Sequence, residues 1–225
     1  MYGELCLKST VLALAATLVC SVWTGTALAR EGEASESVIV DSAMESENAI
    51  WEHLPPDCPG EFPLDQVLVD VRYYSFDGEL HQGQVVIHKD LAEDIRQVFE
   101  VIEATRFPVA SVKPVAHPDI QALAPYGFCP DTDNSSGFAC RSMVGASRPS
   151  RHAQGLAFDL NPRQNPYISG DTVLPPGSVY DPQVAGALTP GHPVVLAFKE
   201  LGWTWGGDWG ESRGFVDYMH FQKVP

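Results

Sequence analysis

Val67, Val69, Val71 and Tyr73 alternate with polar or charged residues, the period of two expected of a strand with one buried face. Asp77-Gly78 is a turn dipeptide, and Val85-Val86-Ile87 resumes the apolar pattern within residues 84–88. Together the runs predict a hairpin with a longish loop. Leu91, Ile95, Val98, Phe99 and Ile102 then recur at helical spacing, which predicts a helix over about residues 90–106. Glu93 and Asp94 suit its first turn and Asp90 its N-cap. Pro108 ends it. Short strands are expected over residues 110–115, 138–143 and 156–160. Residues 162–193 are rich in Pro and Gly with little periodicity, so they read as a long irregular insertion of the kind that serves a site. A second helix begins at Pro193, carries Val195, Leu196 and Phe198, and stops at Gly202. The stretch 202–210 places three Trp among four Gly, and residues 215–222 are strand-like. The mixture is α+β: short, mostly antiparallel strands in a small sheet with flanking helices.

Composition narrows the picture. A chain of 225 residues suits one domain with a real core. A net charge of -15 is the opposite of the basic face a nucleic-acid binder presents, and it disfavours anionic lipid surfaces. Lys8 precedes an apolar run over residues 11–19, and Ala27-Leu28-Ala29 is a small-x-small site, so residues 1–29 read as a signal peptide. The run is too short for a comfortable membrane span. Leu18-Val19 before Cys20 lacks the small residue of a lipidation junction, which favours simple cleavage after Ala29. Secretion or a periplasmic, cell-envelope location follows. Residues 30–54 are expected as an acidic, disordered tether and irregular lead-in, leaving residues 55–225 as the folded domain, a monomer with no membrane insertion. Of Cys58, Cys129 and Cys140, the last two enclose a short polar loop and are the expected disulfide pair, with Cys58 free or replacing Cys129.

The chemistry gathers in Ser150-Arg151-His152-Ala153-Gln154-Gly155-Leu156-Ala157-Phe158-Asp159 and in Asp217-Tyr218-Met219-His220. Seven positions would send His152 and Asp159 to opposite faces of a straight strand, but Gly155 lets the backbone bend between them. His152 taken alone reads as a surface or core histidine, and Asp159 as a turn residue. Yet Asp159 has apolar neighbours and needs a partner, which a metal supplies. His220, between Met219 and Phe221, is the natural third ligand. His152, Asp159 and His220 are thus a sufficient protein shell for a catalytic Zn2+ with one open position. Asp217 then falls where a general base is needed, on a helical turn with His220 or overhanging it from a loop. An oxyanion needs a further cation. Arg141, at the end of an expected strand, is preferred, while Arg148, Arg151 and Arg163 read as solvated charge. Ser150 would orient His152 or a substrate carboxylate. Trp203 and Trp205 suit the core, and Trp209 a wall of the substrate groove.

The combination S-x-H-x-x-G-x-A-x-D with D-x-M-H-F resembles the VanY-type zinc D-alanyl-D-alanine carboxypeptidases and the related L-alanyl-D-glutamate endopeptidases, bacterial wall enzymes with a hedgehog-like zinc site. The likeness extends over most of residues 60–223, including Phe138-Ala139-Cys140-Arg141 and Gly202-Trp203-Thr204-Trp205-Gly206-Gly207. It implies an α+β fold with a small antiparallel sheet cradling zinc, the same three ligands, Asp217 as base and Arg141 polarising the scissile carbonyl. Where the family usually has Glu after Met-His-Phe, this chain has Gln222. The implied function is hydrolysis of peptidoglycan stem peptides, with D-Ala-D-Ala carboxypeptidase favoured by family frequency. The alternatives are an L-Ala-D-Glu endopeptidase, a non-catalytic peptide-binding module that retains the zinc site, and a structural zinc domain closed by His192 or His117.

Overall fold

The computed structural model describes residues 37–123, 132–143 and 146–224. In chain order its strands are β1 (Ile39–Val40), β2 (Gln66–Tyr74), β3 (Leu80–His88), β4 (Ser111–Val112), β5 (Asn134–Ser135), β6 (Ala157–Asp159), β7 (Tyr167–Ser169), β8 (Thr172–Leu174), β9 (Thr204–Trp205), β10 (Val216–Asp217) and β11 (His220–Gln222). Its helices are α1 (Ser46–Trp51), α2 (Ala92–Ala104), α3 (Pro118–Leu123), α4 (Pro193–Glu200) and α5 (Gly210–Arg213). The signal peptide and Cys129 fall outside the described residues. Among those described, no helix is long and apolar enough to cross a membrane.

The alternation of Val69, Val71 and Tyr73 produces β2, which pairs antiparallel with β3 from Gln66↔His88 to Tyr74↔Leu80. The connection is a tight turn, shorter than expected, closed by Ser75 N–H to the Glu79 carbonyl at 3.0 Å and by Gly78 N–H to the Ser75 carbonyl at 3.0 Å. The apolar face of the hairpin receives α2 through Ile95, Val98, Phe99 and Ile102, and α4 adds Val194, Val195 and Phe198. The same core takes Phe158 of β6, Trp205 of β9 and Phe221 of β11, with the Phe198 and Phe221 rings stacked at 3.9 Å. Trp203 and Trp205 are buried, as core packing requires. The sheet β6–β11–β9 is therefore seated on the α2–α4 layer, and its strand ends carry the site.

Several expectations are corrected. Residues 37–54 are not a tether. Strand β1 pairs parallel with β3, and Ala49 and Ile50 are buried beside Val86, Phe138 and Cys140. Sparse apolar residues suffice because Gln84 clamps the segment: its Oε1 accepts from Ser42 Oγ and Met44 N–H, both at 2.7 Å. Asp90 does not cap α2. It lies in a 3-10 turn over Lys89–Leu91, capped by the His88 ring. Residues 138–143 form no strand. Their N–H groups bond in turn to different elements, Phe138 to the Val86 carbonyl and Ala139 to that of His152, so no ladder develops. Within 162–193 the chain does build a hairpin, β7–β8, which pairs with β10. The strand-like run 215–222 is broken by a turn into β10 and β11. Cys140 is bonded to Cys58, not to Cys129, because residues 54–62 fold back over the outer face of the hairpin and bring the two Cα atoms to 5.8 Å.

Candidate metal centre

A 3-10 turn over His152–Gln154 buries His152, and Gly155 ends it in the left-handed region at φ 65°. A Cβ there would collide with the Gln66 side chain as well as strain the backbone. The bend delivers the chain into β6, which ends at Asp159. Asp159 exchanges main-chain bonds with Ser136 on one side and faces His220 of β11 directly on the other. Cross-strand register and a glycine bend thus bring together three side chains that are far apart in sequence.

The three donors converge. His152 Nε2 lies 3.2 Å from Asp159 Oδ2 and 3.2 Å from His220 Nδ1, which is 3.0 Å from Asp159 Oδ1. Tetrahedral zinc with bonds of ~2.0–2.1 Å asks its ligand atoms to stand roughly 3.3 Å apart. The outer ring nitrogens are also assigned. His152 Nδ1–H donates to the Gly137 carbonyl at 2.7 Å, and His220 Nε2–H donates to Gln222 Oε1 at 3.2 Å. These bonds leave His152 Nε2 and His220 Nδ1 turned inward, where they could ligate an ion.

Burial lowers the pKa of His152 despite the nearby Asp159 carboxylate. With its proton on Nδ1, its Nε2 is a bare acceptor facing a carboxylate oxygen. Burial alone would raise Asp159, but the His152 and His220 rings outweigh it and hold the carboxyl well below its usual range. For His220, burial opposes charge, yet the hydrogen bond and charge of Asp159 raise the pKa. A proton on His220 Nδ1 serves Asp159 but leaves His152 Nε2 facing oxygen. A metal ion satisfies all three atoms, and His152, Asp159 and His220 are the one group of potential ligands found among the described residues.

Every sequence-predicted site residue lines a single pocket of ≈ 310 Å³: Arg141, Ser150, His152, Asp159, Trp209, Asp217 and His220. Asp217 sits on β10 opposite Tyr167, on a strand and not a helical turn. Its carbonyl and Cβ pack where a Cβ on Gly206 would stand, so glycine is needed there. Burial, reinforced by the Asp159 charge and opposed by His220 and Arg141, pushes the Asp217 carboxyl up to about 7. Among the described residues its Oδ1 is buried without a hydrogen-bond partner. Arg141 occupies an irregular segment, not a strand end. It is held between the Cys58–Cys140 disulfide and the Ser150 N–H, which donates to its carbonyl at 3.0 Å. Burial lowers the Arg141 pKa, and the Asp159 and Asp217 carboxylates oppose that shift. Ser150 steadies the backbone, its Oγ accepting from His152 N–H at 3.3 Å. The Trp209 ring stands 5.4 Å from that of His220 and walls the pocket. Arg148 and Arg163 are exposed and lie outside the lining, whereas Arg151 reaches it. His192 caps α4 and His117 flanks α3, so neither closes the centre.

Residues 144–223 match the family described as D-alanyl-D-alanine carboxypeptidase. No curated protein and no solved structure matched the chain. The matched segment contains His152, Asp159, Asp217 and His220, with Arg141 just before it. The segment that builds this centre is thus similar to the D-alanyl-D-alanine carboxypeptidase family.

Proposed function

We propose that the protein is a zinc-dependent peptidase of peptidoglycan stem peptides, acting as a D-alanyl-D-alanine carboxypeptidase. The observation that carries this reading is the meeting of His152 Nε2, Asp159 and His220 Nδ1, with the outer ring nitrogens already committed to Gly137 and Gln222. Bound zinc supplies Lewis acidity and a water whose pKa falls to near ~7. Asp217, with a pKa near 7 and an unengaged Oδ1, takes the proton from the attacking water and returns it to the leaving amine. Arg141, beside both carboxylates, stabilises the negative charge that develops on the carbonyl oxygen. Trp209 walls the pocket and limits water around the reacting group. Export to the cell envelope is part of the proposal. The amino-terminal apolar run and the Cys58–Cys140 bond, which belongs in an oxidising compartment, both support it.

The test combines metal content with hydrolysis of a stem pentapeptide, with and without chelator. One zinc per chain and release of D-alanine that chelator abolishes are expected. Internal cleavage would make the protein an endopeptidase. Zinc without hydrolysis of any stem peptide would make it a binding module, and absence of zinc would refute the centre.

A further inference from the structure

Three arginines line the pocket, and their surroundings differ. Arg141 feels the charges of Asp159 and Asp217, at the reacting end, and its Nη1 donates to the Ser142 carbonyl at 3.4 Å. Arg151 Nη1 donates to Gln154 Oε1 at 3.2 Å. Arg213 makes no ion pair among the described residues and instead lies flat on the Trp209 ring, its Cζ 4.1 Å from the centroid. The stack is encoded locally. Trp209 and Arg213 are four positions apart on one helical turn, closed by Arg213 N–H to the Trp209 carbonyl at 2.9 Å, and Gly214 ends the turn. A guanidinium held by its face keeps its in-plane N–H fork available, the geometry that matches a carboxylate. The centroid of the Trp209 ring also stands 5.4 Å from that of the His220 ring. Laid end to end, these separations put Arg213 within about 9.5 Å of a metal ligand. An extended peptide advances ~3.3–3.6 Å per residue. That span is at most about three residues, so a carboxylate close beyond a carbonyl at the metal falls within reach of Arg213. In a chain of net charge -15, a pocket cation without an ion pair among the described residues is also the place where an anionic peptide end meets least repulsion.

We infer that Arg213, carried on Trp209, receives the free C-terminal carboxylate of the peptide and so restricts the pocket to removal of a terminal residue. The inference rests on the peptidase reading above and names the substrate end that the site selects. Other stem-peptide carboxylates share the chemistry, so the test separates them. The zinc-loaded full chain is given a stem pentapeptide as the free acid, as the C-terminal amide, and as an analogue with its internal D-glutamate carboxylate amidated. Arg213→Gln and Arg213→Lys are run beside the unaltered chain. Binding of the same peptides is read by calorimetry in the Asp217→Asn background. The expected result is a preference for acid over C-terminal amide of about tenfold, the scale of one charge-assisted pair. Arg213→Gln should abolish it through KM and Kd with kcat and metal content little changed. Arg213→Lys should retain part of it, and the internal amide should behave like the acid. An unchanged acid preference in Arg213→Gln overturns the inference, as does a preference that follows the internal carboxylate. If no peptide is hydrolysed, the peptidase reading fails on its own, while the calorimetric preference still decides the role of Arg213.

Discussion

The amide of Gln222 fixes which nitrogen of His220 faces inward, because its Oε1 accepts the Nε2 proton. A carboxylate there would make the ring a more basic ligand. Gln222→Glu should therefore raise zinc affinity, by about tenfold, in competition with a chromogenic chelator. Asp217→Asn should keep the metal and lower kcat by ~10²–10⁴, the usual worth of a positioned base. The same variant reports on stability in the metal-free protein. Burial pushes the folded carboxyl up to about 7, against an ordinary value of 3.8. Folding therefore retains a proton that the unfolded chain has lost, and stability falls as pH rises from about 4 to about 7. Asp217→Asn should match the unaltered protein at pH 4 and exceed it at pH 8, by a few kcal/mol at most, in denaturant melts. The ligands were legible because Asp159 and His220 interrupt apolar runs, where an unpartnered polar group is costly. Arg141 was picked for a strand end that does not exist, and the disulfide beside it supplies the rigidity instead. Arg213 carried no signal, since a cation four residues after a tryptophan reads as ordinary surface.

At the scale of elements, periodicity revealed β2, β3, α2 and α4, each long enough for its buried face to repeat. Strands of two residues, such as β5, β9 and β10, contain a single period with no repeat, so β5 and β9 carry no pattern and β10 merges with β11. The strap formed by β1 and α1 was hidden by its acidic composition, because what orders it is polar. Gln84 accepts from Ser42 and Met44 N–H while its Nε2 donates to the Met44 carbonyl and to Asp70 Oδ1 at 2.9 Å. Gln84→Leu would keep the bulk and orphan those groups. Amide exchange over residues 39–50 should then quicken as local stability drops by ~1–3 kcal/mol, with zinc content unchanged.

Across the whole molecule, two contacts of long sequence separation matter most. The Cys58–Cys140 bond spans 82 positions, and sequence alone could not decide it because a nearby cysteine offered a shorter loop. Replacing both by Ser should cost ~2–4 kcal/mol, read as a lowered denaturation midpoint. The other contact is the pairing of β6 with β11, where Asp159 stands opposite His220 across 61 positions. A slip of one residue would turn every side chain of β11 to the other face. Phe221 would leave the core, and the imidazole would point away from His152. In the proposed peptidase the site would thus proofread assembly: a chain whose final strand is misregistered would bring no ligand set together, and catalytic competence would be withheld from misfolded copies.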